Sequence, residues 1–176
     1  MIKKKAGIVS KTMKSAVDWS KKVRIAQPPE DWWLDEISKL LKEGAVLDIG
    51  CGSGRFAGVL SKNNDYLGID INSSEIDEAK RLHPKQEFVC SDILTWYGWK
   101  KFDNIFSWVS LQHIPPPDIY ELFKIMKKNS NNFIFCEVTT PITSDYQWTH
   151  PYEEYFKLVK KIQVMSGLVE LMQFRR

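Results

Sequence analysis

The stretch Asp48-Ile49-Gly50-Cys51-Gly52-Ser53-Gly54 constrains this chain more than any other. A short apolar run, Ala45–Ile49, leads into it, and a helix-compatible run, Arg55–Lys62, leads out. Three glycines at alternate positions between a strand and a helix turn the backbone sharply and let a ligand approach it closely. A strand that passes straight into a helix returns over the face of a parallel sheet. The downstream sequence keeps that rhythm. Strands are predicted at Tyr66–Asp70, Glu87–Cys90, Phe102–Ser107 and Asn132–Val138. Between them, Asn72 and Glu75 can form a capping box for a helix reaching Leu82 and closed by Pro84. Pro115-Pro116-Pro117-Asp118 opens another, with Ile119, Leu122, Phe123 and Met126 on one face. Tyr152–Met165 reads as a helix and Leu168–Phe174 as a last strand.

The fold class is therefore α/β, an open, mostly parallel sheet with helices on both faces. Its ligand belongs at the carboxyl ends of the strands, near the switch point. The 176 residues suffice for one core. Ahead of the first strand, Asp31–Gly44 reads as a helix with Trp33, Ile37, Leu40 and Leu41 at helical spacing and Gly44 as its cap. Residues 1–24 carry eight Lys/Arg against one acid, an excess of +7, whereas the net charge of the whole chain is +3. The expected organisation is a basic helical extension or lid over 1–44 and the main body over 45–176, with Pro28-Pro29 as a hinge. Such a head is either a solvated surface segment or an attractor of anions.

Hydrophobic residues at 43% and charged residues at 27% describe a globular chain. No apolar run approaches the ~20 residues that span a bilayer, and no apolar segment follows the basic start as in a secretory signal. The three cysteines, Cys51, Cys90 and Cys136, are far apart and lack a CxxC pair. They exclude a disulfide scaffold and a cysteine zinc site and fit a reducing cytoplasm.

Three acids stand at successive strand ends. Asp48 precedes the glycines, where a carboxylate suits an ammonium better than a pyrophosphate. Asp70 ends the second strand, where it can accept both hydroxyls of a ribose. Asp92 follows the third strand and can accept from an adenine amino group. Ammonium, ribose diol and adenine without phosphate occur together in S-adenosylmethionine. The competing ligand is NAD, because Gly52-x-Gly54-x-x-Ala57 satisfies a loose dinucleotide fingerprint. An NAD-dependent oxidoreductase, however, would need more chain for a substrate domain. A non-catalytic S-adenosylmethionine or adenosine-nucleoside binder on the same fold is the other alternative.

The order Val46–Gly54, Asp70, Asp92 and Phe102–Ile114 resembles the class I S-adenosylmethionine-dependent methyltransferases, in a small-molecule-type branch, over roughly Ala45–Val138. The resemblance implies a Rossmann-like sheet and S-adenosylmethionine as cofactor, with S-adenosylhomocysteine as product. By the same resemblance Asp48, Gly50, Cys51, Gly52 and Gly54 line the methionine part and Asp70 and Ile71 the ribose. Asp92 and Ile93 frame the adenine, and Ser107 and Trp108 close over the methionine end. The family adds two strands after the fifth, and only one is apparent here, so the C-terminal strand hairpin reads as shortened. An exposed last strand would also be a pairing edge, which leaves a homodimer open.

Each of these residues also has a plain structural use. Asp48 can pair with a helix start, Asp92 can cap the turn that follows it, and Cys51 is a small filler. His113, after the fourth strand, is the candidate general base and substrate contact; otherwise it orders the loop into Pro115. Trp148 and His150, beyond the fifth strand, are further substrate candidates. Trp96 and Trp99 either wall the adenine or cover the sheet, while Trp19, Trp32 and Trp108 can line a pocket. Ser107-Trp108-Val109-Ser110 lacks the Pro-Pro-aromatic motif of amino-directed nucleic-acid enzymes, and no Pro-Cys occurs. The expected acceptor is thus an O or N atom of a small molecule or sugar, and nucleic acid is disfavoured.

Overall fold

The computed structural model describes residues 32–138, 147–164 and 167–176. The basic head with Trp19, and the segment 139–146, lie outside them.

The chain runs α1 (Trp32–Leu40), β1 (Gly44–Ile49), α2 (Ala57–Leu60), β2 (Asn64–Asp70), α3 (Ser73–Leu82), β3 (Glu87–Cys90), β4 (Asn104–Trp108), α4 (Asp118–Asn129), β5 (Asn132–Val138), α5 (Tyr152–Tyr155), β6 (Lys157–Val164) and β7 (Val169–Arg175). One sheet holds all seven strands in the order β3-β2-β1-β4-β5-β7-β6. The first five pair in parallel, and β7 is antiparallel to both β5 and β6. This is the Rossmann-like sheet that the alternation of elements implies.

The sheet has a core on each face, as parallel strands require. Leu47, Ile49, Ile105, Phe133 and Phe135 face α4 and α5, where Ile119, Leu122, Phe123 and Met126 meet them as the helical spacing predicts. Val46, Phe106, Ile134 and Cys136 face the opposite way, toward Trp33 and Ile37 of α1, Leu60 of α2 and Ile76 of α3. Asn72 caps α3 as expected, although its Oδ1 accepts from both the N–H and the hydroxyl of Ser74.

Helix α1 stops at Leu40, short of Gly44. Buried amides end it. Asn132 and Gln173 both donate to the carbonyl of Leu40, and Asn104 exchanges two hydrogen bonds with the backbone of Lys42. The last carbonyls of a helix need such partners. Gly44 instead opens β1, at φ 128°.

The C-terminal region corrects two expectations. Tyr152–Met165 is not one helix: a single turn, α5, gives way at Phe156 to β6. The hairpin is accordingly not shortened, because β6 and β7 supply both strands. A register shift between Leu158 and Lys160 explains the misreading. Leu158 packs toward one core, whereas Ile162 and Val164 pack toward the other. The bulge breaks the period-2 pattern, and Tyr152, Phe156 and Val159 then mimic helical spacing. The outer edge of the sheet is β6, which carries Lys157, Lys160 and Lys161; the other edge, β3, has four residues.

Candidate active site

Strands β1 and β4 are neighbours whose next partners, β2 and β5, lie on opposite sides. Their carboxyl ends form the switch point, where an open α/β sheet leaves a crevice. The glycine loop leaves β1 here and folds across the end of β2. The N–H groups of Gly50 and Cys51 both donate to the carbonyl of Ile69, at 2.8 and 3.1 Å. Gly50, Gly52 and Gly54 have φ of 74°, 52° and 79°, the left-handed region that side chains resist.

Asp70 locks this loop. Its Oδ2 accepts from the Gly52 N–H and its Oδ1 from the Asn72 N–H, each at 2.9 Å. Burial raises its pKa and those N–H groups lower it. The residue is partly exposed, and each oxygen keeps a lone pair. A diol could be accepted there, with Ile71 partly exposed beside it.

Asp48 is placed differently. It is 1% exposed and lies beneath the loop, where its Oδ2 accepts from the Tyr66 hydroxyl at 2.8 Å. Burial pushes its pKa up to about 7, against the Tyr66 bond and with a smaller push from Asp70. Its partner in register across the sheet is Gly68. A Cβ at Gly68 would come within 2.7 Å of the Tyr66 Oη, 2.8 Å of Phe88 and 2.9 Å of the Cys51 Sγ. Gly68 thus makes the space in which Asp48, Tyr66 and Cys51 gather. The Cys51 thiol is buried and driven far up in pKa by burial, so it acts as a filler.

Asp92 turns the chain after β3. Its Oδ1 accepts from the Leu94 N–H at 2.9 Å and its carbonyl from the Thr95 N–H at 3.0 Å. Ile93 is buried in the core, with Trp96 and Trp99 packed against that core and their rings 5.5 Å apart. Ser107 is also buried. Its hydroxyl donates to the Ile49 carbonyl at 3.1 Å and ties β4 to the start of the loop.

Trp108, at the end of β4, lies 4.9 Å from the ring of Trp33 and 4.8 Å from that of Phe56. The Arg55 guanidinium sits 5.5–5.9 Å from these three rings, and its buried Nη2 has no hydrogen-bond partner. Arg55 escapes a reading based on glycine and acid spacing, although its place one residue past Gly54 was a signal. Val109 follows at φ 50°, a conformation that costs a β-branched residue of order 1–3 kcal/mol.

Beyond β4, Leu111–His113 make one 3₁₀ turn. The Nε2 of His113 lies 3.3 Å from the Gln112 amide nitrogen. Gln112 is buried, and its carbonyl accepts from the Trp148 N–H at 2.8 Å. His150 is 5% exposed, with Nε2 3.0 Å from the Leu111 carbonyl. Burial lowers its pKa. These three sequence candidates therefore gather around one turn. The structure adds Glu137 and Tyr152. Glu137 is 7% exposed, its Oε1 accepts from the Tyr152 hydroxyl at 2.9 Å, and burial pushes its pKa up to about 8. Its signal was a lone acid in the apolar run Asn132–Val138. Gln112, Glu137, Trp148, His150 and Tyr152 line a cavity of about 50 Å³. A larger recess, about 340 Å³, opens at the amino ends of β1 and β2 beside Lys42, Lys62 and Asn64, away from the switch point. Among the described residues no cluster of His, Cys, Asp and Glu could hold a metal ion, and no helix is long and apolar enough to cross a membrane.

Residues 46–131 match the family model described as "Methyltransferase domain". Trans-aconitate 2-methyltransferase of Escherichia coli is 38% identical over 81 residues, 44% of this chain and 31% of its own length. The chain spans under half the length of the curated relatives it matches. Among solved structures, a TehB-like SAM-dependent methyltransferase from Corynebacterium glutamicum superposes with a TM-score of 0.64 at 22% identity, covering 81% of this chain and 86% of that one. The N-methyltransferase NodS from Bradyrhizobium japonicum superposes with a TM-score of 0.69 at 17% identity, covering 86% and 98%.

Proposed function

We propose, from the class I methyltransferase fold of this chain and the methyltransferase domain at residues 46–131, that it transfers a methyl group from S-adenosylmethionine to an O or N atom of a small-molecule or sugar acceptor. The bond from the Gly52 N–H to Asp70 carries this reading, because it sets a partly exposed carboxylate against a glycine loop at the switch point. A ribose diol can donate two hydrogen bonds to that carboxylate. The unpartnered Arg55 Nη2 suits the carboxylate at the methionine end. The residues present thus fit the group: Asp70 and Ile71 for its ribose, Asp92 and Ile93 for its adenine, and the loop with Trp108 and Arg55 for its methionine part.

When bound, the cofactor supplies a methyl on a sulfonium, which is already a good leaving group. The protein's share is to hold, orient and exclude water. In this proposal Asp48 acts from below: buried and bonded to Tyr66, it supports the loop. Ser107 does the same from β4. Asp48 is thereby given a supporting role, and the ammonium contact passes to the loop carbonyls. His113, Trp148 and His150 stand on the acceptor side, with His113 as candidate base.

Of the residues 1–44 expected to form a lid, the basic 1–24 are assigned that role on their charge, since α1 is packed into the core. Truncation of residues 1–24 should leave the far-UV circular dichroism intact and weaken cofactor binding. The central test is calorimetry. S-adenosylhomocysteine should bind in the micromolar range and NAD should not; tighter binding of NAD would overturn the assignment.

A further inference from the structure

We propose that the cavity between the 3₁₀ turn and the end of β5 is a recognition pocket for a primary amine, with the Glu137 carboxyl as its anchor. The proposal rests on the methyltransferase reading for its place in the reaction and names the class of acceptor: a small molecule bearing an aliphatic amine.

Two residues that line this cavity each carry a buried polar atom without a hydrogen-bond partner, Glu137 its Oε2 and His150 its Nδ1, and among the described residues the Gln112 backbone N–H is the one other donor that acts on the Glu137 carboxyl beside Tyr152. Both unpartnered atoms are acceptors. The Leu111 carbonyl can only accept, so the His150 Nε2 carries the proton that bonds to it, and burial keeps the ring neutral. The Nδ1 then presents a lone pair. The other Glu137 oxygen is taken by Tyr152. A buried acceptor left unpaired costs on the order of 1–3 kcal/mol, so a pair of them calls for a donor.

Ligand chemistry follows from size and charge. The ≈ 50 Å³ admits a group of two heavy atoms or two waters. An ammonium offers three donors, whereas a hydroxyl offers one. A carboxylate offers none and would meet Glu137 head on. The surrounding charges point the same way. Glu170 stands opposite Glu137 on β7, and Lys161 of β6 lies 3.3 Å from Glu170, offsetting that second acid. Tyr152 and His150 contribute no positive charge, and His113 does not line the cavity. Trp148 and Tyr152 supply aromatic walls that favour a cation. An arriving ammonium supplies the positive charge that the buried Glu137 carboxyl lacks and so favours its ionised form.

The test uses the full chain and ethylamine as probe, followed through the indole N–H resonance of Trp148, with S-adenosylhomocysteine calorimetry on the same samples. Ethylamine should bind saturably, ethanol and acetate should not compete, and Glu137→Gln should weaken binding at least tenfold while circular dichroism stays native. Thr149→Trp, at the exposed mouth of the cavity, should also block the probe and serves if the glutamine variant does not fold. Absence of saturable ethylamine binding, equal binding of ethanol, or native affinity in the variants would overturn the pocket. If S-adenosylhomocysteine fails to bind while ethylamine does, the methyltransferase reading falls and the pocket stands.

Discussion

The two sides of the switch point are built from different materials. On the β1–β2 side the site is backbone, consisting of a glycine loop, two N–H groups on the Ile69 carbonyl, and one carboxylate that locks the Gly52 N–H. On the β4–β5 side it is side chain, with Gln112, Glu137, His150 and Tyr152 converging from three separate segments. A backbone site needs specific residues at fixed spacing, so it leaves a signature along the chain. A side-chain site needs only proximity, which the fold supplies and the sequence conceals.

The sharpest way to break this contrast is Asp70→Ala. It removes the lock of the loop and two charged acceptors worth ~1.5–3 kcal/mol each, so S-adenosylhomocysteine affinity should fall a hundredfold or more with the fold retained. Calorimetry beside circular dichroism would measure both. Unchanged affinity would mean that the glycines alone make the site.

The acceptor side should instead show itself in pH dependence. Glu137 has a folded pKa of about 8 against 4.5 unfolded, so between those values the unfolded chain has lost a proton that the folded one keeps. Stability therefore decreases as pH rises through that window, by an amount on the order of a few kcal/mol. Asp48 acts in the same direction between 3.8 and about 7. Urea midpoints from pH 4 to 9 should fall toward the alkaline end, and Glu137→Gln should flatten the slope above pH 7. A slope unaltered by that substitution would remove Glu137 from the account.

Two smaller changes probe the support under the loop. Gly68→Ala forces a methyl against Tyr66, Phe88 and Cys51, and overpacking of this kind costs ~1–3 kcal/mol. Tyr66→Phe removes the hydroxyl that Asp48 accepts from, at a cost of about 1 kcal/mol, and should raise the Asp48 pKa further. Denaturant melts rank the two, and the carboxyl titration can be followed by NMR. If Tyr66→Phe proved the more damaging, the polar contact would outweigh the steric space.

Much of the fold was legible for reasons that also set its limits. Ile119, Leu122, Phe123 and Met126 declare their helix because nothing interrupts their period. Glu87–Cys90 and Asn132–Val138 stand out as short apolar runs. The β6 strand was hidden by one extra residue between Leu158 and Lys160, which shifts the inward face midway. The end of α1 was hidden because its capping groups, Asn104, Asn132 and Gln173, lie far along the chain. Asp48 shows the same limit within the site. Its position in the motif is plain, but which side of the loop its carboxylate faces is decided by Tyr66 and by the missing side chain at Gly68.

The sheet's two borders bear on how the protein behaves at high concentration. On one side β3 offers four residues, too few to seat another chain's strand firmly; on the other, β6 presents Lys157, Lys160 and Lys161. Lys160 is paired with Glu36 and Lys161 with Glu170, so a strand docking along β6 would have to displace these ion pairs as well as the lysine stems. Edge-to-edge pairing of intact sheets is thereby disfavoured at both borders.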